Sequence, residues 1–203
     1  MRRRYSFTVA IYAVMAALTF LFSFIAAWVP GLFLLPILIA AVCFDWKLSL
    51  FTGLVFGVAS LVLAFIGGGA GLFGVVGIYF MHHPWLPILA RLPIGIAAHF
   101  AYKGFSKVFN NKDKRWHKIV PLVLAAAIGT ITNTFFVGLG IMLLPTPDIV
   151  SALDDITVTI LVIFCAIEIG ITAVLLPPLA LALKRAVPRV FDEAGVKVDV
   201  IED

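Results

Sequence analysis

Residues 82–105 read HHPWLPILARLPIGIAAHFAYKGF, and within them one arginine, Arg91, stands in an apolar segment long enough to cross a membrane. A guanidinium at membrane depth costs about 3 kcal/mol or more, so it survives there only when it faces a partner or a wet cavity. At helical spacing Arg91 shares a face with Gly95, Ala98 and Tyr102, and the two small residues let a neighbouring helix or a ligand approach closely. Three roles are open to it: contact with a ligand, a structural ion pair, or snorkelling of the charged end to the interface.

The rest of the chain supports a membrane setting. Its 203 residues are 63% hydrophobic and 13% charged, with a mean hydropathy of +1.13, more apolar surface than a soluble core absorbs. The apolar runs are too long and too uninterrupted for barrel strands, which alternate over about 10 residues. The expected class is therefore an all-α integral membrane protein. Cys43 and Cys165 lie inside apolar segments without metal-ligand spacing and read as small core residues, so no disulfide framework or redox chemistry is expected. The net charge of +4 does not indicate a nucleic-acid partner, because the basic residues flank apolar spans instead of forming a soluble face.

Six helices are expected, over residues 7–28, 32–44, 48–66, 86–105, 119–144 and 156–183, forming one membrane domain over 1–183 with a charged soluble tail over 184–203. The second is short, with Pro36 near its start. Residues 67–85 are rich in glycine and aromatics and read as a loop able to cover a site; residues 107–118 read as a basic loop and 145–155 as an acidic one. An N-terminus inside the cell places every one of the 15 Lys and Arg except Arg91 on the cytoplasmic side, as the positive-inside rule requires. That predicts N-in and C-in termini in the plasma membrane, and it needs the short second helix as a crossing.

Asn133 and Glu168 join Arg91 as polar residues at depth, with His99 read as a packed or inner-interface residue. At about 1.5 Å per residue, Asn133 lies roughly 17 Å and Glu168 roughly 18 Å from the outer ends of their helices, and Arg91 about 8 Å from the start of its own. Asn133 shares a face with Gly129, Phe136 and Gly140, and Glu168 with Phe164, Thr172 and Leu175. A pocket between the last three helices, with Tyr79 and Trp85 contributed by the preceding loop, accounts for all of these. Asn133 could equally make an interhelical hydrogen bond, and Glu168 could pair with Arg91 or be neutralised by desolvation. Nothing suggests an enzyme: the sequence has no His-Glu-x-x-His, Gly-x-Ser-x-Gly or Walker motif. His82 and His83 are adjacent and not spaced to share a helical face, which argues against a metal site. No catalytic residue, metal or cofactor is expected.

The segments ARLPIG at 90–95, GTITNTFFVGLGIMLL at 129–144 and IEIGITAVLLPPLALALKR at 167–185 together resemble the substrate-binding, or S, components of energy-coupling factor vitamin transporters. The resemblance covers nearly the whole chain. It implies a subunit that captures a small water-soluble vitamin from outside, pantothenate-like or of the riboflavin or folate type. Such a subunit works with a transmembrane T component and two ATPases and does not hydrolyse ATP itself. It also implies an outward pocket formed by the fourth to sixth helices, covered by the connections 28–31, 67–85 and 145–155. Ala13 and Ala17 match the family's Ala-x-x-x-Ala pattern for docking the T component. The small-residue face Gly53, Gly57, Ser60 and Ala64 on the third helix is suited to packing inside the bundle. The alternative is a membrane scaffold whose buried polar groups only hold helices together.

Overall fold

The computed structural model describes residues 2–25, 31–67, 74–109, 115–144 and 154–186. Within them the chain forms seven α-helices: α1 (Arg2–Ile25), α2 (Leu35–Cys43), α3 (Trp46–Gly67), α4 (Gly74–His82), α5 (Leu86–Val108), α6 (Arg115–Leu143) and α7 (Asp154–Ala186). A 3-10 turn, Leu32–Leu34, leads into α2. The described residues are almost entirely helical, as a backbone in lipid requires, since each N–H and C=O must be satisfied within its own segment. Hydroxyls at depth follow the same rule: Thr19, Ser23, Thr52 and Thr132 each donate to the carbonyl four residues earlier on their own helix.

Four stretches, Thr8–Ile25, Trp46–Gly67, Trp116–Leu143 and Leu161–Arg185, are long and apolar enough to cross a membrane. At 23 residues α5 is also long enough, about 35 Å at ~1.5 Å per residue, but Arg91, His99, Lys103 and Lys107 lower its apolarity. One of the two shortest helices, α2, lies deepest. Every residue of α2 except Ile39 is buried, and it packs on α3, α5 and α7. It carries the chain back along α1 to about its middle, so α1 and α3 run parallel, with the Tyr12 and Phe51 rings 5.0 Å apart. Asp45 caps α3, its Oδ1 accepting the Leu48 N–H at 2.9 Å.

Two expected loops prove shorter than their composition suggests. The glycine-rich stretch 67–85 holds α4, because burial of Tyr79 and Phe80 outweighs the weak helix propensity of its glycines; the Tyr79 carbonyl accepts His83 N–H at 2.8 Å to close its end. The basic stretch 107–118 is helical at both sides, with only 110–114 outside the described residues. Helix α7 likewise runs through Lys184 and Arg185, which the reading of a tail over 184–203 had excluded. The connections 26–30, 68–73 and 145–153, including Trp28, and the tail beyond Ala186 lie outside the described residues.

Helices α3 and α5 pack backbone to backbone. A Cβ at Gly53 would lie 2.7 Å from the Arg91 carbonyl oxygen, one at Gly57 2.7 Å from Ile88 Cα, and one at Gly95 2.8 Å from the Ser49 carbonyl oxygen. The face Gly53, Gly57, Ser60, Ala64 is buried, as its small residues suggested.

Candidate functional site

Two apolar clusters divide the bundle along its length. One gathers Phe33, Leu38, Phe56, Ile94, Ala98, Ala126 and Leu176 among others. The other gathers Ala64, Tyr79, Phe80, Leu86, Ala90, Val137 and Ile141, with Leu161 against it. Helices α3, α5, α6 and α7 each contribute to both, and buried polar residues lie between the two contributions. On α3, Ser60 lies between Phe56 and Ala64. On α5, Arg91 lies between Ala90 and Ile94. On α6, Thr130 and Asn133 lie between Ala126 and Val137, and on α7, Glu168 and Thr172 lie between Leu161 and Leu176. All six are buried. The result is a polar layer with apolar packing on both sides.

The α6–α7 crossing is pinned inside this layer. Thr130 Oγ1 and Thr172 Oγ1 are 3.3 Å apart, and Thr172 also donates to the Glu168 carbonyl at 2.7 Å. Because the helices run antiparallel, Asn133 and Glu168 both stand about one turn beyond this contact, roughly 4.5 and 6 Å along their axes. They are level, as their depths in the sequence suggested. Gly31 closes the layer from another direction. Its φ of +86° is left-handed, and a Cβ there would lie 3.3 Å from Glu168 Cα and 3.4 Å from the Glu168 carbonyl oxygen. Only glycine combines that backbone with that approach.

Arg91 does not snorkel. It is 6% exposed, and its Cζ lies 4.6 Å from the Phe56 ring centroid and 4.8 Å from that of Phe80. Phe56 in turn stacks on Phe33 at 5.0 Å. Two desolvated cation–π contacts, about 2 kcal/mol each, offset part of the cost of burying the charge. Nη1 donates to the Pro87 carbonyl at 3.3 Å, one turn back on its own helix. The hydrogen bond of Arg91 thus goes to its own helix and not to Glu168.

Among the described residues, two buried polar atoms of this layer, Arg91 Nε and Asn133 Oδ1, and one in the cluster that caps it, Tyr79 OH, find no hydrogen-bond partner; His117 Nδ1, near the start of α6, is a fourth such atom away from the layer. Each orphan costs about 1–3 kcal/mol, and they come from three different helices. Tyr79 is fully buried in the cluster capping the layer. The structure therefore places Arg91, Asn133 and Glu168 in one layer and Tyr79 in the cluster that caps it. It turns Trp85, 48% exposed, and Phe136, 37% exposed, partly outward; Trp85 edges against His83 and Phe136 against Phe135. On α6 the buried line after Asn133 continues through Val137 and Ile141, with Phe136 at its margin.

Sequence reasoning missed Phe56, Phe80, Gly31 and the Thr130–Thr172 pair. Gly53 and Gly57 were a usable signal for Phe56, since a face smooth enough for close packing brings the residues beside it against the partner helix. His99, read as packed, has Nδ1 2.7 Å from the Ala41 carbonyl on α2. Among the described residues no cluster of His, Cys, Asp or Glu could hold a metal ion. Ala13 and Ala17 are exposed on α1, whose buried side is Met15, Thr19 and Ser23.

The family described as ECF transporter, substrate-specific component, matches the chain over residues 7–180. No curated protein and no solved structure matches it.

Proposed function

Because the chain belongs to the family of ECF transporter substrate-specific components, a family of multi-pass membrane transporter subunits, we propose that its polar layer captures a small water-soluble vitamin from outside the cell. In this reading Arg91, Asn133, Glu168 and Tyr79 contact the ligand. Trp85 and Phe136, both partly exposed, stand at the margin and carry none of the argument. The protein lies in the plasma membrane with both termini cytoplasmic, and a T component with two ATPases powers release of the ligand. It needs no cofactor and performs no catalysis.

The observation that carries this reading is that Arg91 Nε, Asn133 Oδ1 and Tyr79 OH are buried and find no partner among the described residues. A scaffold would pair its buried polar groups with one another, as Thr130 and Thr172 do. Atoms left unpaired at a cost of about 1–3 kcal/mol each are what a ligand-binding layer presents.

The test is vitamin binding to the purified protein in nanodiscs, comparing Arg91→Ala and Arg91→Lys with the wild type. A charged hydrogen bond contributes about 1.5–3 kcal/mol, so removing it should weaken binding at least about tenfold. Lysine should rescue only part, since it lacks the planar fork. Unchanged affinity in both variants would remove Arg91 from the ligand site.

A further inference from the structure

Arg91 and Glu168 are the only Lys, Arg, Asp or Glu side chains buried among the described residues, and both lie in the same polar layer. Their formal charges cancel. The layer is flanked by apolar clusters, so a ligand bringing net charge would leave one charge uncompensated away from water, the costliest arrangement for a buried ion. A ligand without net charge preserves the balance.

The orphaned atoms add a second, independent condition. Arg91 Nε carries a hydrogen and only donates; Asn133 Oδ1 only accepts; Tyr79 OH does either. A carboxylate would satisfy Arg91 but set acceptor against acceptor at Asn133 and Glu168. An ammonium would satisfy those two and leave Arg91 facing a cation. A group that carries an acceptor and an N–H donor side by side meets both sides at once. Between apolar clusters a neutral amide edge is also less costly to desolvate than the two full charges of a zwitterion.

Resting on the reading that this layer is the capture site, we propose that its ligand has no net charge and binds through a lactam- or imide-type edge, with C=O toward Arg91 and N–H toward Asn133 and Glu168. The ring plane then lies between the two apolar clusters, with Phe56 and Phe80 holding the guanidinium in place. The two charges act as a filter on ligand charge. Replacing either by the neutral glutamine shifts that filter by one unit.

The experiment uses the full-length protein. Ligand released from the wild type after purification from rich medium is identified by mass spectrometry, and riboflavin (neutral, with an imide edge), pantothenate (an anion) and thiamine (a cation) are titrated as probes. The expected ligand is uncharged at neutral pH and carries the lactam or imide edge. Glu168→Gln should bind pantothenate at least about tenfold better than wild type, and Arg91→Gln should do the same for thiamine. Wild type that releases or prefers a charged vitamin, or folded variants whose charge selectivity is unchanged, would overturn the inference and leave the capture reading intact. Wild type that releases no ligand and binds none of the three probes would overturn both. The released-ligand measurement needs no variant, so a variant that fails to fold does not protect the inference.

Discussion

The α3–α5 contact can be tested at single-methyl resolution by Gly53→Ala. The added Cβ would sit 2.7 Å from the Arg91 carbonyl oxygen, about 0.7 Å short of the 3.4 Å at which ordinary contact begins. The obstacle is backbone on a packed helix and cannot swing aside like a side-chain tip, so α3 and α5 must part. Overpacking of this kind costs about 1–3 kcal/mol, while alanine in a helix regains up to about 1 kcal/mol over glycine. Gly104→Ala supplies the control, because nothing lies within 4 Å of its would-be Cβ and only the propensity gain applies. The two variants should therefore differ by about 1–3 kcal/mol, and at about 2–4 °C per kcal/mol for a chain of this size their melting temperatures should separate by roughly 2–12 °C. Intrinsic tryptophan fluorescence during heating in nanodiscs measures this. Gly53→Ala should also weaken vitamin binding, since it displaces the backbone of Arg91 itself. Equal melting shifts for the two variants would refute the close backbone contact and the positioning of Arg91 derived from it.

Two further outcomes are expected. Ala13→Trp and Ala17→Trp place bulk on the exposed side of α1, so they should detach the T component in a pull-down and stop uptake while ligand affinity of the isolated subunit stays within about twofold; loss of folding or binding together with assembly would make this face internal packing. A double-mutant cycle with Thr130→Val and Thr172→Val should return a coupling near 0.6 kcal/mol, typical of hydrogen bonds between helices in membranes, and a coupling of zero would mean that the 3.3 Å contact does not pin α6 against α7.

Arg91, Asn133 and Glu168 were legible in the sequence because a polar side chain at membrane depth needs a reason, and rise per residue alone placed two of them level. The helical class and the packing face on α3 were legible for similar reasons, as periodicity and residue size survive without coordinates. What the sequence hid depended on partners distant in the chain. Phe56 meets Arg91 only through the α3–α5 crossing, and Gly31 meets Glu168 only because the 3-10 turn before α2 docks on α7. Helix α4 was hidden because its glycines favour a loop locally, while burial of Tyr79 and Phe80 is a tertiary effect. Trp85 was grouped with the site as part of the preceding loop and Phe136 through the helical face it shares with Asn133; Trp85 stands just before α5 and Phe136 on α6, each partly exposed.

The burial of α2 bears on how the protein comes to be assembled. Leu32–Cys43 covers only about 18 Å at ~1.5 Å per residue, against a hydrocarbon thickness of about 30 Å, so lipid gives this segment little reason to remain embedded. Protein contacts hold it instead, and two of the helices that supply them, α5 and α7, leave the ribosome well after α2 has been made. The seating of α2 thus depends on helices made after it, which enclose a segment that hydropathy alone would let go.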